Sequence, residues 1–279
     1  MYCTACGTQN PDDYRFCFQC GQPRPLLSQP ESSDSTASLR RILLSVADEY
    51  VEKDLDSPVD LLKRELEGQW NQLDILGKAS KDQLDCLVLP NRWSESDRRL
   101  MEDKAMVYTI YLNLLRNIAR ALKSPALIQA ALEAKTLVVY NSHLSSLADE
   151  KQWDDYDALT SQYLEEARET NAPLFLVRPL VKAAYARLML NDRRTARAYL
   201  DEFDKLAQRA VRERPEYTSM DDKTIRQWVA FHQDEAKNLR RPGLSTCANL
   251  LIIKEIFTNS QIRYHCHFSD ELLRPFKSA

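Results

Sequence analysis

From Leu39 onward the apolar positions recur with the period of an α-helix. Leu39, Ile42, Leu43, Val46 and Tyr50 form one stripe, which stops before Pro58. Ser57-Pro58-Val59-Asp60 then reads as a helix start, with a capping residue, a proline at the first helical position and an acidic first turn. Val59, Leu62, Leu66, Trp70 and Leu73 follow at helical spacing. Ser96 is placed to cap a long helix carrying Leu100, Val107, Tyr111, Leu114 and Ile118, and Ser124-Pro125 opens another with Ile128, Ala131, Leu132 and Val139. Trp153 to Ala167, Leu180 to Met189, Ala196 to Val211 and Ile225 to Leu239 continue the pattern, which predicts eight or nine helices over 39–242.

Within this run two stretches match at an offset of 40 residues. Leu137, Tyr140, Leu144, Ala148, Tyr156, Leu159, Tyr163 and Ala167 align with Val177, Leu180, Ala184, Leu188, Ala196, Tyr199, Phe203 and Ala207, and the polar joint Glu150-Lys151-Gln152 aligns with Leu190-Asn191-Asp192. The pattern resembles a pair of helical hairpins of the tetratricopeptide (TPR-like) class, although that family's small-residue pattern is incomplete. The resemblance implies stacked hairpins, none able to bury its apolar face alone, whose concave surface holds a peptide or a partner helix.

Both ends of the chain break the helical period. Residues 243–279 change character: Leu250 to Phe257 is isoleucine-rich, and Ile262 to Phe268 alternates with period two, which places Ile262, Tyr264, Cys266 and Phe268 on one face of a strand. A short β-hairpin through 258–261 is the reading that joins them. His265 and His267 share the other face, where surface histidines are expected in preference to a metal pair. Residues 22–38 hold three prolines and five serines, a linker composition.

Residues 1–21 carry the clearest chemistry. Four of the seven cysteines fall there, as Cys3-Thr-Ala-Cys6-Gly7 and Cys17-Phe-Gln-Cys20-Gly21. Two residues between paired cysteines let each pair wrap a turn and point both sulfurs at one ion, and a glycine after the pair suits the positive φ of such a turn. Two turns together give a tetrahedral four-thiolate site, the closed structural arrangement for Zn²⁺, with Cys3, Cys6, Cys17 and Cys20 as ligands. Iron in a rubredoxin-like site uses similar knuckles at a wider separation between pairs. A catalytic zinc needs an open position, which four thiolates do not leave. Some twenty residues cannot bury enough surface to fold alone, so metal binding would supply the folding free energy. With Asn10-Pro11 and Phe16, the segment resembles the short zinc-ribbon found at the start of many bacterial proteins. That resemblance implies two zinc knuckles on a small β-hairpin arrangement, serving as a structural or docking module.

Composition narrows the remainder. The chain has 279 residues, 44% hydrophobic and 28% charged, with a net charge of −3 spread evenly along it. Nothing global invites nucleic acid or an anionic membrane. Only five glycines are present, two of them in the cysteine motif, so no glycine-rich phosphate loop exists. No apolar run approaches the roughly eighteen residues needed to cross a bilayer, and the N-terminus has no export pattern, so the cytoplasm is the expected compartment. Locally, residues 150–171 are net −5 and residues 187–214 net +3, with Arg193, Arg194 and Arg197 close together and Arg209, Arg212 and Arg214 forming a second group.

No catalytic motif stands out: HExxH, GxSxG, Walker and kinase patterns are absent. His143 lies on a polar stretch, His232 beside Phe231 and Asp234 reads as a core edge, and Glu165 and Glu166 are ordinary helical carboxylates. The expectation is a mainly α, non-enzymatic, zinc-binding scaffold or adaptor for a protein partner. Two other readings stand beside it: a nucleic-acid-associated regulator using the arginine-rich helices or a C-terminal wing, and an enzyme with a site assembled in the helical body.

Overall fold

The computed structural model describes residues 35–53, 57–67 and 73–240, and among them every regular element is helical. The chain forms α1 Ser35–Lys53, α2 Pro58–Glu65, α3 Asp74–Gly77, α4 Lys81–Val88, a 3₁₀ turn at Pro90–Arg92, α5 Glu95–Asp103 and α6 Ala105–Ala121. It continues with α7 Pro125–Lys135, a π-helical turn at Thr136–Tyr140, α8 Asn141–Asp149, α9 Trp153–Glu169, α10 Pro173–Met189, α11 Arg193–Arg212 and α12 Asp222–Leu239. The ribbon cysteines, most of the linker and the C-terminal segment, including the expected β-hairpin, lie outside the described residues.

The cores follow chain order. Leu43, Leu62, Leu84, Leu87, Tyr108, Tyr111 and Leu115 pack α1, α2, α4 and α6 together, with α7 against them. Tyr140, Leu144, Tyr156, Tyr163 and Ala167 join α8 to α9 and reach α10. Leu180, Ala184, Leu200, Phe203, Ala207, Ile225 and Val229 close α10, α11 and α12. α10 touches α9, α11 and α12, so it is the pivot of the second half.

Four helix boundaries differ from the sequence pattern. α1 starts at Ser35, inside the segment of linker composition, and Thr36 there is fully buried. The stripe from Val59 to Leu73 does not form one helix: α2 ends at Glu65, with Ser57 at the N-cap position but making no side-chain cap. The long helix expected from Ser96 is two helices, capped by Ser94, whose Oγ accepts from Asp97 N, and divided at Lys104. Lys104 leaves helical geometry and its Nζ reaches Asp48 at 2.6 Å and Glu52 on α1. α10 begins at Pro173 and not at Leu180, running straight through Pro179. Proline inside a helix forfeits one backbone hydrogen bond, but Leu174, Phe175 and Val177 are buried on that first stretch, and their burial outweighs the loss.

The 40-residue offset holds in three dimensions around its polar joint. All the aligned apolar positions share a burial class except Leu137, half-buried, against buried Val177; in the joint, Glu150 and Gln152 are exposed where Leu190 and Asp192 are half-buried. Lys151 and Asn191 both take left-handed backbone, φ 59° and 61°. Each closes its helix in the same way: Gln152 N donates to Leu147 O at 2.9 Å and Asp192 N to Arg187 O at 2.8 Å, with the inner bonds from Lys151 N to Ala148 O and from Asn191 N to Leu188 O. Further upstream the match lapses. The corresponding left-handed residues before the two hairpins, Lys123 and Asn171, lie 48 positions apart in sequence numbering, because the α7–α8 run is longer than α10.

Glycine is the residue that usually occupies such a terminus, since a Cβ strains left-handed backbone. Lys151 is exposed and makes no ion pair among the described residues, so Lys151→Gly removes strain without removing a side-chain ion pair. It should raise stability by about 0.5–1 kcal/mol in chemical denaturation, whereas Asn191→Val, which puts a β-branched residue into the same geometry, should lower it.

Candidate functional site

Two features in the described residues can do chemistry: a set of buried charges between the helices, and a small pocket beside the π turn. Lys135 on α7 and Glu166 on α9 meet at 2.8 Å, both buried, and Lys135 also donates to Asn113 Oδ1 at 3.0 Å. Arg116 on α6 pairs with the same Glu166 carboxylate and lies 3.7 Å from Glu169, which Arg120 also holds. Burial pushes the Glu166 carboxyl up, but Lys135 and Arg116 outweigh it and leave the group below its ordinary range. Burial also lowers Lys135, against the pull of Glu166.

The second set joins α10 to α12. Lys182 Nζ lies 3.0 Å from Glu235, and the other Glu235 oxygen meets His232 Nδ1. Burial drags Lys182 down to about 8 and His232 to about 4. Glu235 is held well below the carboxylate range, because the Lys182 ammonium and the hydrogen bonds from Lys182 and His232 overcome its own desolvation. The neutral imidazole therefore carries its proton on Nδ1, assigned by the carboxylate that accepts it, while Nε2 is buried without a partner among the described residues.

The segment between α11 and α12 is tied down by the same strategy. Tyr217 donates its hydroxyl to Asp85 at 2.7 Å and its backbone N–H to Gln129 Oε1 at 2.8 Å. Gln129 in turn donates to Thr170 O at 3.1 Å. Glu133 accepts from Ser219 N at 3.0 Å and from its hydroxyl, and burial raises its carboxyl above the ordinary value despite those bonds.

That segment closes one side of a cavity of about 40 Å³. By that measure a water needs roughly 10–15 Å³, so the cavity takes a few water-sized groups and no nucleotide. Its polar wall carries Glu133, Thr136, Tyr163, Arg178 and Ser219; its apolar wall includes Phe175 and Trp228.

The residues singled out from sequence divide clearly. Cys3, Cys6, Cys17 and Cys20, with His265 and His267, lie outside the described residues. Among those described, no group of three or more His, Cys, Asp or Glu is placed to hold a metal. His143 is exposed on α8. His232 is deep in the core, not at its edge, and its partner is Glu235 rather than Asp234. Glu165 is exposed, while its neighbour Glu166 is buried and ion-paired. Arg209 and Arg214 pair with Glu213 and Asp222, whereas Arg212 and, at the start of α11, Arg193, Arg194 and Arg197 are exposed and make no ion pair among the described residues. Sequence reasoning did not single out Lys135, Lys182, Glu133 or Arg178. The available signal was a lysine set in an apolar stretch, as in Val181-Lys182-Ala183-Ala184.

Residues 2–24 match the zinc-ribbon domain family. No curated protein and no solved structure matches the chain. No helix among the described residues is long and apolar enough to cross a membrane. His232 binds its proton at about 4 when folded and near 6.5 when unfolded. The unfolded chain takes up the proton first, so stability falls as pH drops below 6.5. Urea unfolding should show His232 contributing a loss of about 1.5 kcal/mol between pH 6.5 and 5, and His232→Gln should flatten that part of the profile. An unchanged slope in the variant would contradict the assignment.

Proposed function

We propose that the chain is a non-enzymatic, zinc-binding scaffold or adaptor that joins a zinc ribbon to a helical body and docks a protein partner in the cytoplasm. The observation that carries the reading is the zinc-ribbon match over residues 2–24, together with the donor set it contains. Cys3, Cys6, Cys17 and Cys20 are all sulfur donors in two CxxCG pairs, which is the chemistry of a closed tetrahedral zinc site. Bound zinc would supply a cross-link between the two pairs and the folding free energy of the ribbon, with no vacant position for a substrate. The body supports the docking role through two successive helical hairpins in a common register and through the exposed Arg193, Arg194 and Arg197, which suit an acidic partner surface.

The same three arginines favour a second reading, nucleic-acid association through phosphate contacts, which predicts binding that weakens steeply with salt.

The adaptor reading is tested with the purified full chain. Elemental analysis should return one zinc per chain, and X-ray absorption should report sulfur-only coordination near 2.3 Å. Cys17→Ser should lose most of the metal and the stoichiometric partner captured by the wild type, while the far-ultraviolet helical signal stays. Metal-free protein, an oxygen ligand on zinc, or partner capture indifferent to Cys17→Ser would each contradict it.

A further inference from the structure

Most of the buried cations in the described core face a carboxylate. Lys135 and Arg116 share Glu166, Lys182 has Glu235, and Arg40 meets Asp97 at 3.2 Å. Arg178 does not. It lies on α10 one turn before Lys182 and lines the cavity beside the π turn. Its Nε is buried without a hydrogen-bond partner, and its guanidinium makes no ion pair among the described residues. Its one ring contact is Trp228, whose centroid lies 5.6 Å from the guanidinium carbon. Because Lys182 is already neutralised by Glu235, the charge on Arg178 is left over in a half-buried site, and such a charge calls for an anion.

The remaining walls fit one kind of anion. Tyr163 Oη accepts from Thr136 Oγ1 at 3.0 Å, which leaves the phenolic proton free to donate. The oxygens of Glu133 are turned to Ser219 N, at 3.0 and 3.3 Å, and to the Ser219 hydroxyl, so this carboxylate is occupied elsewhere. Leu174, Phe175, Met220 and Trp228 supply an apolar end. The helix also widens to a π turn where Thr136 and Leu137 meet the cavity, a local cost of the kind found at functional sites. A single unbalanced guanidinium matches a single negative charge, and Glu133 on the wall disfavours a dianion such as phosphate. The volume excludes anything larger than a short acid.

We propose that this cavity binds a small aliphatic monocarboxylate, its carboxylate held by Arg178 and the Tyr163 hydroxyl and its alkyl end against Trp228 and Phe175. The site is independent of the zinc ribbon and of any protein partner.

The test uses the full chain labelled with ¹⁵N and follows the indole N–H resonance of Trp228, assigned by Trp228→Phe. Sodium acetate and sodium butyrate are titrated against butyramide and against sodium chloride at equal ionic strength. Butyrate should give a saturable shift with a dissociation constant of about 1 mM, acetate should bind more weakly, and butyramide and chloride should give no saturation. Arg178→Gln should weaken butyrate at least about tenfold, the loss of one charge-assisted contact. Tyr163→Phe keeps the ring stacked on Tyr140, at 4.2 Å between centroids, and should weaken binding several-fold, which keeps the proposal testable if the arginine variant fails to fold. Absence of saturation with butyrate, an equal response to butyramide, or unchanged affinity in Arg178→Gln or Tyr163→Phe would overturn it.

Discussion

Lys182 and Glu235 are 53 positions apart in sequence and 3.0 Å apart in the core, and neither could be buried there alone. An isolated ammonium or carboxylate in that environment costs several kcal/mol, and only a well-placed partner offsets the desolvation. The pair therefore admits one arrangement of α10 against α12, because sliding either helix by a turn would strand both charges. Lys135 with Glu166 imposes the same condition on α7 and α9. Apolar packing brings these helices together without strongly specifying their offset; the buried charges supply the offset.

The same constraint accounts for the segment between α11 and α12. It carries no regular helix, yet Tyr217 and Thr218 are buried, and its polar groups are met by Asp85, Gln129 and Glu133 from α4 and α7. Those bonds tie the last helical pair back to the first half of the body. They also form a wall of the cavity in which Arg178 meets no carboxylate among the described residues. Arg178 is informative because its surroundings otherwise satisfy their charges so thoroughly.

The sequence pattern was most legible where one residue type has one strong local job. Ser124-Pro125 marks a helix start because the serine caps and the proline comes preset for the first turn, and the structure begins α7 there. The polar joints at Lys151 and Asn191 were legible as an alignment, and their shared backbone geometry explains it. Ser96 is the expected cap, but Ser94 also precedes an acidic residue, and the folded chain uses Ser94. The stretch expected from Leu180 begins earlier, at Pro173, because the burial of Leu174, Phe175 and Val177 outweighs the hydrogen bond that Pro179 forfeits inside the helix. The charge pairs were illegible for a plainer reason. No periodicity connects position 135 to 166 or 182 to 235, and a lysine in an apolar stripe announces a need for a partner without naming it. The ribbon is the contrasting case: its four cysteines are close in sequence, so spacing alone proposes a donor set, and the family match spans the same residues.

The body thus owes its register to paired buried charges, and a double-mutant cycle at Lys182 and Glu235 tests that most directly. Lys182→Met and Glu235→Leu, measured singly by urea unfolding at neutral pH, should each cost about 3 kcal/mol or more, because each strands the other charge. Together they should cost less than the sum by at least about 2 kcal/mol. Additive costs, or single substitutions that leave stability near that of the wild type, would contradict the account.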